Sequence, residues 1–94
     1  MSVVVTAVAP ITADMYDAVT ERAMPEGQLP EGCQLHIAGP VEEGWRVITV
    51  WDTAEAFTSF REQTLLPAIR EASGQEAADE VKPKIDPVHR LVTA

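Results

Sequence analysis

QLHIAGPVEEGWRVITVWD, residues 34–52, is the stretch whose reading decides the fold. Two apolar runs, Leu35 to Ala38 and Trp45 to Trp51, flank the connection Gly39-Pro40-Val41-Glu42-Glu43-Gly44. That pattern is the sequence form of a β-hairpin with a longer loop. Asp52-Thr53-Ala54-Glu55 follows directly and reads as a capping box, with Asp52 accepting from the first turn of a helix and Glu55 reaching back. The same stretch holds one of the chain's two histidines, both tryptophans and Arg46, so its polar chemistry is concentrated where the structure is most predictable.

Pairing Gly39 with Gly44 assigns the two faces of the hairpin, because residues directly opposed on antiparallel strands share a face. Ala38 then opposes Trp45, Ile37 opposes Arg46, His36 opposes Val47 and Leu35 opposes Ile48. One face carries Leu35, Ile37, Ile48 and Val50 around Arg46. The other carries His36, Trp45, Val47, Thr49 and Trp51. A slip of one residue in the loop would regroup these residues across the two strands.

Working outward, Ser2 to Ala9 is β-branched, apolar on both alternations and bounded by Pro10, which predicts a strand buried on two faces. Thr12 is a helix N-cap, with Asp14 in the first turn where the dipole favours an anion. Met15, Val19 and Ala23 mark the inward face of that helix, and the prolines and glycines of Pro25 to Gly32 end it. After the hairpin, Phe57, Phe60, Leu65, Leu66 and Ile69 supply the apolar side of a second helix. Pro67 must interrupt its hydrogen-bond ladder, predicting a kink or restart near Thr64 to Leu66, and Ser73-Gly74 stops it. Gln75 to Pro87, acidic at first, leads to a last strand over Val88 to Thr93, whose neighbouring prolines suit an edge.

The order strand, helix, strand, strand, helix, strand is that of an α+β, ferredoxin-like fold: a four-stranded antiparallel sheet with both helices on one face. Two helices cover only one side of a sheet whose strands are apolar on both, so a second subunit packed sheet to sheet is expected, giving a dimeric α+β barrel.

Composition narrows the function classes. Ninety-four residues make one domain, spanning 1–94, and at this size a homodimer offers further burial. The net charge of −8 repels phosphate backbones, and the two lysines, Lys82 and Lys84, both lie near the C-terminus. Nucleic acid and anionic membrane are therefore excluded as partners. The lone Cys33 makes no intrachain disulfide and no zinc site of the usual kind, which places the chain in a reducing cytoplasm. Met1 to Val5 has no basic flank and its apolar run ends at Pro10, so it is neither a signal peptide nor a membrane span.

The passage Trp45-Arg46-Val47-Ile48-Thr49-Val50-Trp51-Asp52-Thr53-Ala54-Glu55-Ala56-Phe57, followed by Leu65-Leu66-Pro67-Ala68, resembles the antibiotic biosynthesis monooxygenase-like family of dimeric α+β barrels. The resemblance implies a homodimer and a cofactor-independent monooxygenase, or a related small enzyme, acting on an aromatic or polyketide-like molecule in an apolar pocket. A non-catalytic dimer of the same fold that binds a hydrophobic ligand is the alternative it leaves open. Two departures stand against the family pattern. Members that oxidise phenolic polyketides rely on a pocket asparagine, and this chain contains none; Arg70 stands where haem-degrading members place a histidine. No cofactor is expected.

The residues themselves nominate a site. His36 is the candidate base, because a neutral imidazole accepts a proton near pH 7; the competing role is a hydrogen bond within the sheet or across an interface. Trp45 and Trp51 are candidate walls for an aromatic ligand, or core filler. Tyr16 is placed to present a phenol to the same cavity, or to sit at a helix edge with its hydroxyl in water. Arg46 requires a carboxylate such as Glu42, Glu43 or Asp86, or else an anionic ligand. His89, on the last strand, is a second polar group or an edge residue. Two histidines without a matched carboxylate spacing predict no metal site, and Cys33 has no neighbouring cation to make it a nucleophile.

Overall fold

A computed structural model of the chain describes residues 1–74 and 82–94. Its elements are β1 (Val3–Ala9), α1 (Ala13–Ala23), β2 (Cys33–Val41), β3 (Gly44–Trp51), α2 (Ala54–Phe60), a π-helical turn (Arg61–Leu65), α3 (Leu66–Ser73) and β4 (Lys84–Pro87). The strands form one antiparallel sheet in the order β2-β3-β1-β4, which is the ferredoxin-like arrangement. The acidic start of the Gln75 to Pro87 segment lies outside the described residues.

The hairpin is tighter than expected. Val41 opposes Gly44, leaving only Glu42 and Glu43 in the turn, and Gly39 and Pro40 belong to β2. Gly44 has φ 135°, and a side chain there would drive into the Ala9 carbonyl, so glycine is required where the hairpin meets the end of β1. The register is displaced by two residues from the expected one: Ile37 opposes Ile48 and His36 opposes Thr49. Because side chains alternate with period two, a slip of two leaves every residue on its expected face. A bulge between Cys33 and Leu35 then breaks the alternation, so that Cys33 opposes Trp51 and joins the helix side.

Two further expectations are corrected. The N-cap of α2 is Thr53, whose hydroxyl accepts from the Ala56 N–H at 3.1 Å, while Asp52 accepts from Gln34 Nε2 at 2.5 Å. The cap moves because Asp52 still belongs to the sheet end, its own N–H bonded to the Gly32 carbonyl at 2.8 Å. The last strand is Lys84–Pro87 rather than Val88 to Thr93. It runs opposite Thr6 back to Val3, where β1 begins, and Val88 then donates to the Ser2 carbonyl at 3.0 Å.

Elsewhere the local chemistry works as read. Thr12 caps α1, accepting from Met15 N–H at 3.2 Å. Pro67 has no N–H to give, and the helix widens just before it, with Leu66 N–H reaching the Arg61 carbonyl five residues back. Gly74, at φ 92°, ends α3 by donating to the Arg70 carbonyl at 2.9 Å. The deepest packing is Val5, Trp51 and Phe57 between β1, β3 and α2; Trp51 is 1% exposed. The opposite face of the sheet is open. Val8 and Ile37 are 42% and 51% exposed there, beside Thr6 and Ile48.

Candidate functional site

Beneath α1 and the α2–α3 helix, the sheet face carrying His36, Trp45, Val47, Thr49 and Trp51 encloses a cavity of about 130 Å³. Its walls are overwhelmingly apolar: Val5, Ala7, Val19, Val47, Phe57 and Ile69 among them. A dry apolar cavity near this size accommodates a ring-sized molecule, as engineered cavities of about 150 Å³ bind benzene.

Three of the residues nominated from the sequence meet at its wall. Tyr16, one turn into α1, and His36, in the middle of β2, share a hydrogen bond from Tyr16 Oη to His36 Nε2 of 2.5 Å. The Tyr16 ring also lies 5.3 Å from that of Trp45 and 6.0 Å from that of His36. Burial disfavours the imidazolium and lowers the pKa of His36 below its ordinary value of 6.5, so the ring is neutral at pH 7. With the ring neutral, Nε2 accepts the Tyr16 O–H in the tautomer protonated on Nδ1 and donates to Oη in the other. The Trp45 Nε1–H is buried and, among the described residues, has no hydrogen-bond partner.

Trp51 forms the floor. Its ring packs edge-on to Phe57 at 5.6 Å and tilted against Phe60 at 5.3 Å, and its Nε1–H donates to Thr49 Oγ1 at 2.8 Å. It is therefore both core and cavity wall. Cys33 lines the cavity as well, its thiol held to the Leu35 carbonyl at 3.4 Å. Burial pushes that thiol's pKa up, with Asp52 adding to the rise against the opposing Leu35 contact, so the protonated form is favoured.

Two nominated residues lie elsewhere. Arg46 occupies the opposite face of the sheet, exposed, between Val8 and Gly39 on the neighbouring strands. Alternation along the hairpin separates it from His36, as the sequence predicts, and the open side, wet in this chain, is why it needs no buried carboxylate. His89 follows β4 instead of lying on it, is exposed and does not line the cavity. Arg70 is likewise exposed. Among the described residues no three His, Cys, Asp or Glu side chains converge as a metal cluster, and no helix is long and apolar enough to cross a membrane.

Three further lining residues, Thr49, Arg61 and Cys33, were not nominated from the sequence. Alternation already puts Thr49 on the face of His36 and Trp51, where the structure finds it. Arg61 stands four residues after Phe57, in line with Leu65, Ile69 and Ser73, all of which line the cavity. In a regular α-helix each step of four overshoots a turn by about 40°; the wide π turn at Arg61–Leu65 offsets that drift and keeps the row on the cavity side. Cys33 reaches the cavity only through the bulge, which leaves no composition signal.

Solved structures share this architecture. A protein named as an antibiotic biosynthesis monooxygenase from Bordetella bronchiseptica superposes with a TM-score of 0.61 at 14% identity, over 93% of this chain and 95% of the other. One of the same name from Deinococcus radiodurans gives 0.59 at 15% identity, over 100% and 98%. A variant of SnoaB, a cofactor-independent oxygenase from Streptomyces nogalater, gives 0.58 at 13% identity, over 99% and 97%. The chain has the fold of the antibiotic biosynthesis monooxygenase-like proteins. No protein-family profile and no curated protein sequence matches it.

Proposed function

We propose that this chain is a cofactor-independent monooxygenase-type enzyme for a hydroxylated or keto-aromatic small molecule, working in the cavity between sheet and helices. The observation that carries the reading is the Tyr16–His36 pair: a neutral, half-buried imidazole bonded to a phenol at the wall of an aromatic-lined cavity. The likeness in fold to SnoaB and to the monooxygenase-named proteins supports it.

The chemistry asked of such a pair is proton abstraction. Tyr16 takes a proton from an acidic C–H or O–H of the substrate as its own passes to His36 Nε2, leaving a resonance-stabilised carbanion or phenolate. For a ring methylene whose anion is conjugated with a ring carbonyl, as in an anthrone, that anion reduces dioxygen: one oxygen atom becomes the new ring carbonyl, the other leaves as water, and the substrate itself supplies the electrons. The apolar walls exclude water from the reactive anion. Trp45 and Trp51 flank the ring plane.

Oxygen uptake with anthrone-like substrates tests this directly. The wild-type chain is expected to consume one dioxygen per quinone formed, and His36→Gln to lose about 10²-fold or more in kcat/KM. An unchanged rate in the variant removes His36 from the chemistry.

The same reading includes a homodimer. The sheet face opposite the helices leaves Val8, Ile37 and their neighbours uncovered, and a second copy packed sheet to sheet would bury them.

A further inference from the structure

The hydrogen-bonding groups around the cavity are unbalanced. Thr49, 8% exposed and directly opposed to His36 across the hairpin, uses its oxygen to accept the Trp51 Nε1–H at 2.8 Å. Its own O–H proton has no acceptor among the described hydrogen bonds. Trp45 Nε1–H is a second buried donor without an acceptor there. Arg61 is the only Lys, Arg, Asp or Glu side chain among the described lining residues, so no carboxylate supplies the missing acceptor. A buried donor left without an acceptor costs about 1–3 kcal/mol, so such groups persist where something else supplies the acceptor.

We infer that Thr49 is a ligand-binding residue that holds an oxygen acceptor, a carbonyl or phenolate, of an aromatic ligand. The inference rests on the proposed use of the cavity and narrows its ligand class. The indole N–H bonded to Thr49 Oγ1 withdraws electron density from that oxygen and makes the remaining O–H a better donor. His36 stands beside it on the neighbouring strand, so a ligand oxygen on Thr49 sets the adjoining carbon within the reach of the Tyr16–His36 pair. An oxygen that gains negative charge as a proton leaves is held more strongly than the neutral carbonyl it came from.

The test compares two probes of one shape, 1-tetralone and tetralin, which differ in a carbonyl. Titration is followed by the two indole N–H resonances of Trp45 and Trp51 in proton–nitrogen NMR spectra, which also report whether each variant is folded. The wild-type chain is expected to bind tetralone more tightly than tetralin. Thr49→Val is expected to weaken tetralone about five- to tenfold, the loss of one hydrogen bond, while tetralin changes less than twofold. Thr49→Ser, which keeps the hydroxyl, is expected to retain the preference and serves if the valine variant fails to fold. Equal weakening of both probes in Thr49→Val, or loss of the tetralone preference in Thr49→Ser, overturns the assignment and leaves the cavity as a binding site. Failure of the wild-type chain to bind either probe overturns the use of the cavity and this inference with it.

Discussion

His36 combines partial burial with a partner that carries no charge, and this sets its behaviour with pH. Its pKa is lowered in the folded chain, so between the folded value and the ordinary 6.5 the unfolded chain binds more protons. Stability from this group is therefore complete above about pH 6.5 and falls as pH drops below it. Thermal unfolding across pH 5 to 8 is expected to show a steeper acid decline for the wild-type chain than for His36→Gln, since the carboxylates titrate in both. Catalysis should share the sign, with kcat/KM falling on the acid side at a pH below 6.5, where His36 ceases to be a base. Tyr16→Phe removes the Oη···Nε2 bond and leaves a half-buried imidazole nitrogen unpaired. Chemical denaturation should register a loss of about 1–3 kcal/mol. Trp51, 1% exposed, is the side chain the core tolerates losing least, and Trp51→Ala is expected to cost about 3–5 kcal/mol.

At the scale of elements, the local signals that were legible are those whose physics is confined to a few residues. Thr12 caps α1, Pro67 widens the helix before it, and Gly74 stops it, each for a reason carried by its own side chain or lack of one. What was not legible depends on where a neighbouring strand ends. Asp52 and Thr53 are equally good caps in sequence; the sheet claims Asp52, so Thr53 takes the helix. Denaturation distinguishes the two, with Thr53→Ala expected to cost about 1 kcal/mol and Asp52→Ala, whose exposed carboxylate accepts from Gln34, under about 0.5 kcal/mol. Val88 to Thr93 has the composition of a strand, yet the residues of β1 from Val3 to Thr6 pair with Lys84–Pro87, and the edge falls there. The site was legible for the same reason that the hairpin faces were: alternation survives a two-residue slip, so His36, Trp45, Thr49 and Trp51 stayed together. Tyr16 met them because Met15, Val19 and Ala23 set the inward face of α1. Arg46 and His89 were nominated for their chemistry alone, and neither lies on that face.

For the whole molecule, one side of the sheet is closed by helices around a cavity and the other leaves Val8 and Ile37 exposed to solvent around Arg46. Sedimentation at micromolar concentration is expected to show a dimer, and Ile37→Glu, which places a charge at a position already 51% exposed in the single chain, is expected to yield a folded monomer. A wild-type monomer would remove the sheet-packing proposal without touching the cavity. The cavity itself stands on the Tyr16–His36 pair, which only functions as described if the ring is neutral and a ligand reaches it. Nitrogen-15 NMR of the His36 ring measures both at once. A pKa below 6.5, an Nδ1–H tautomer, and a shift of the Nε2 resonance when an aromatic phenol or ketone is added are the predicted results. A pKa at or above 6.5 with no response to such ligands would contradict the account.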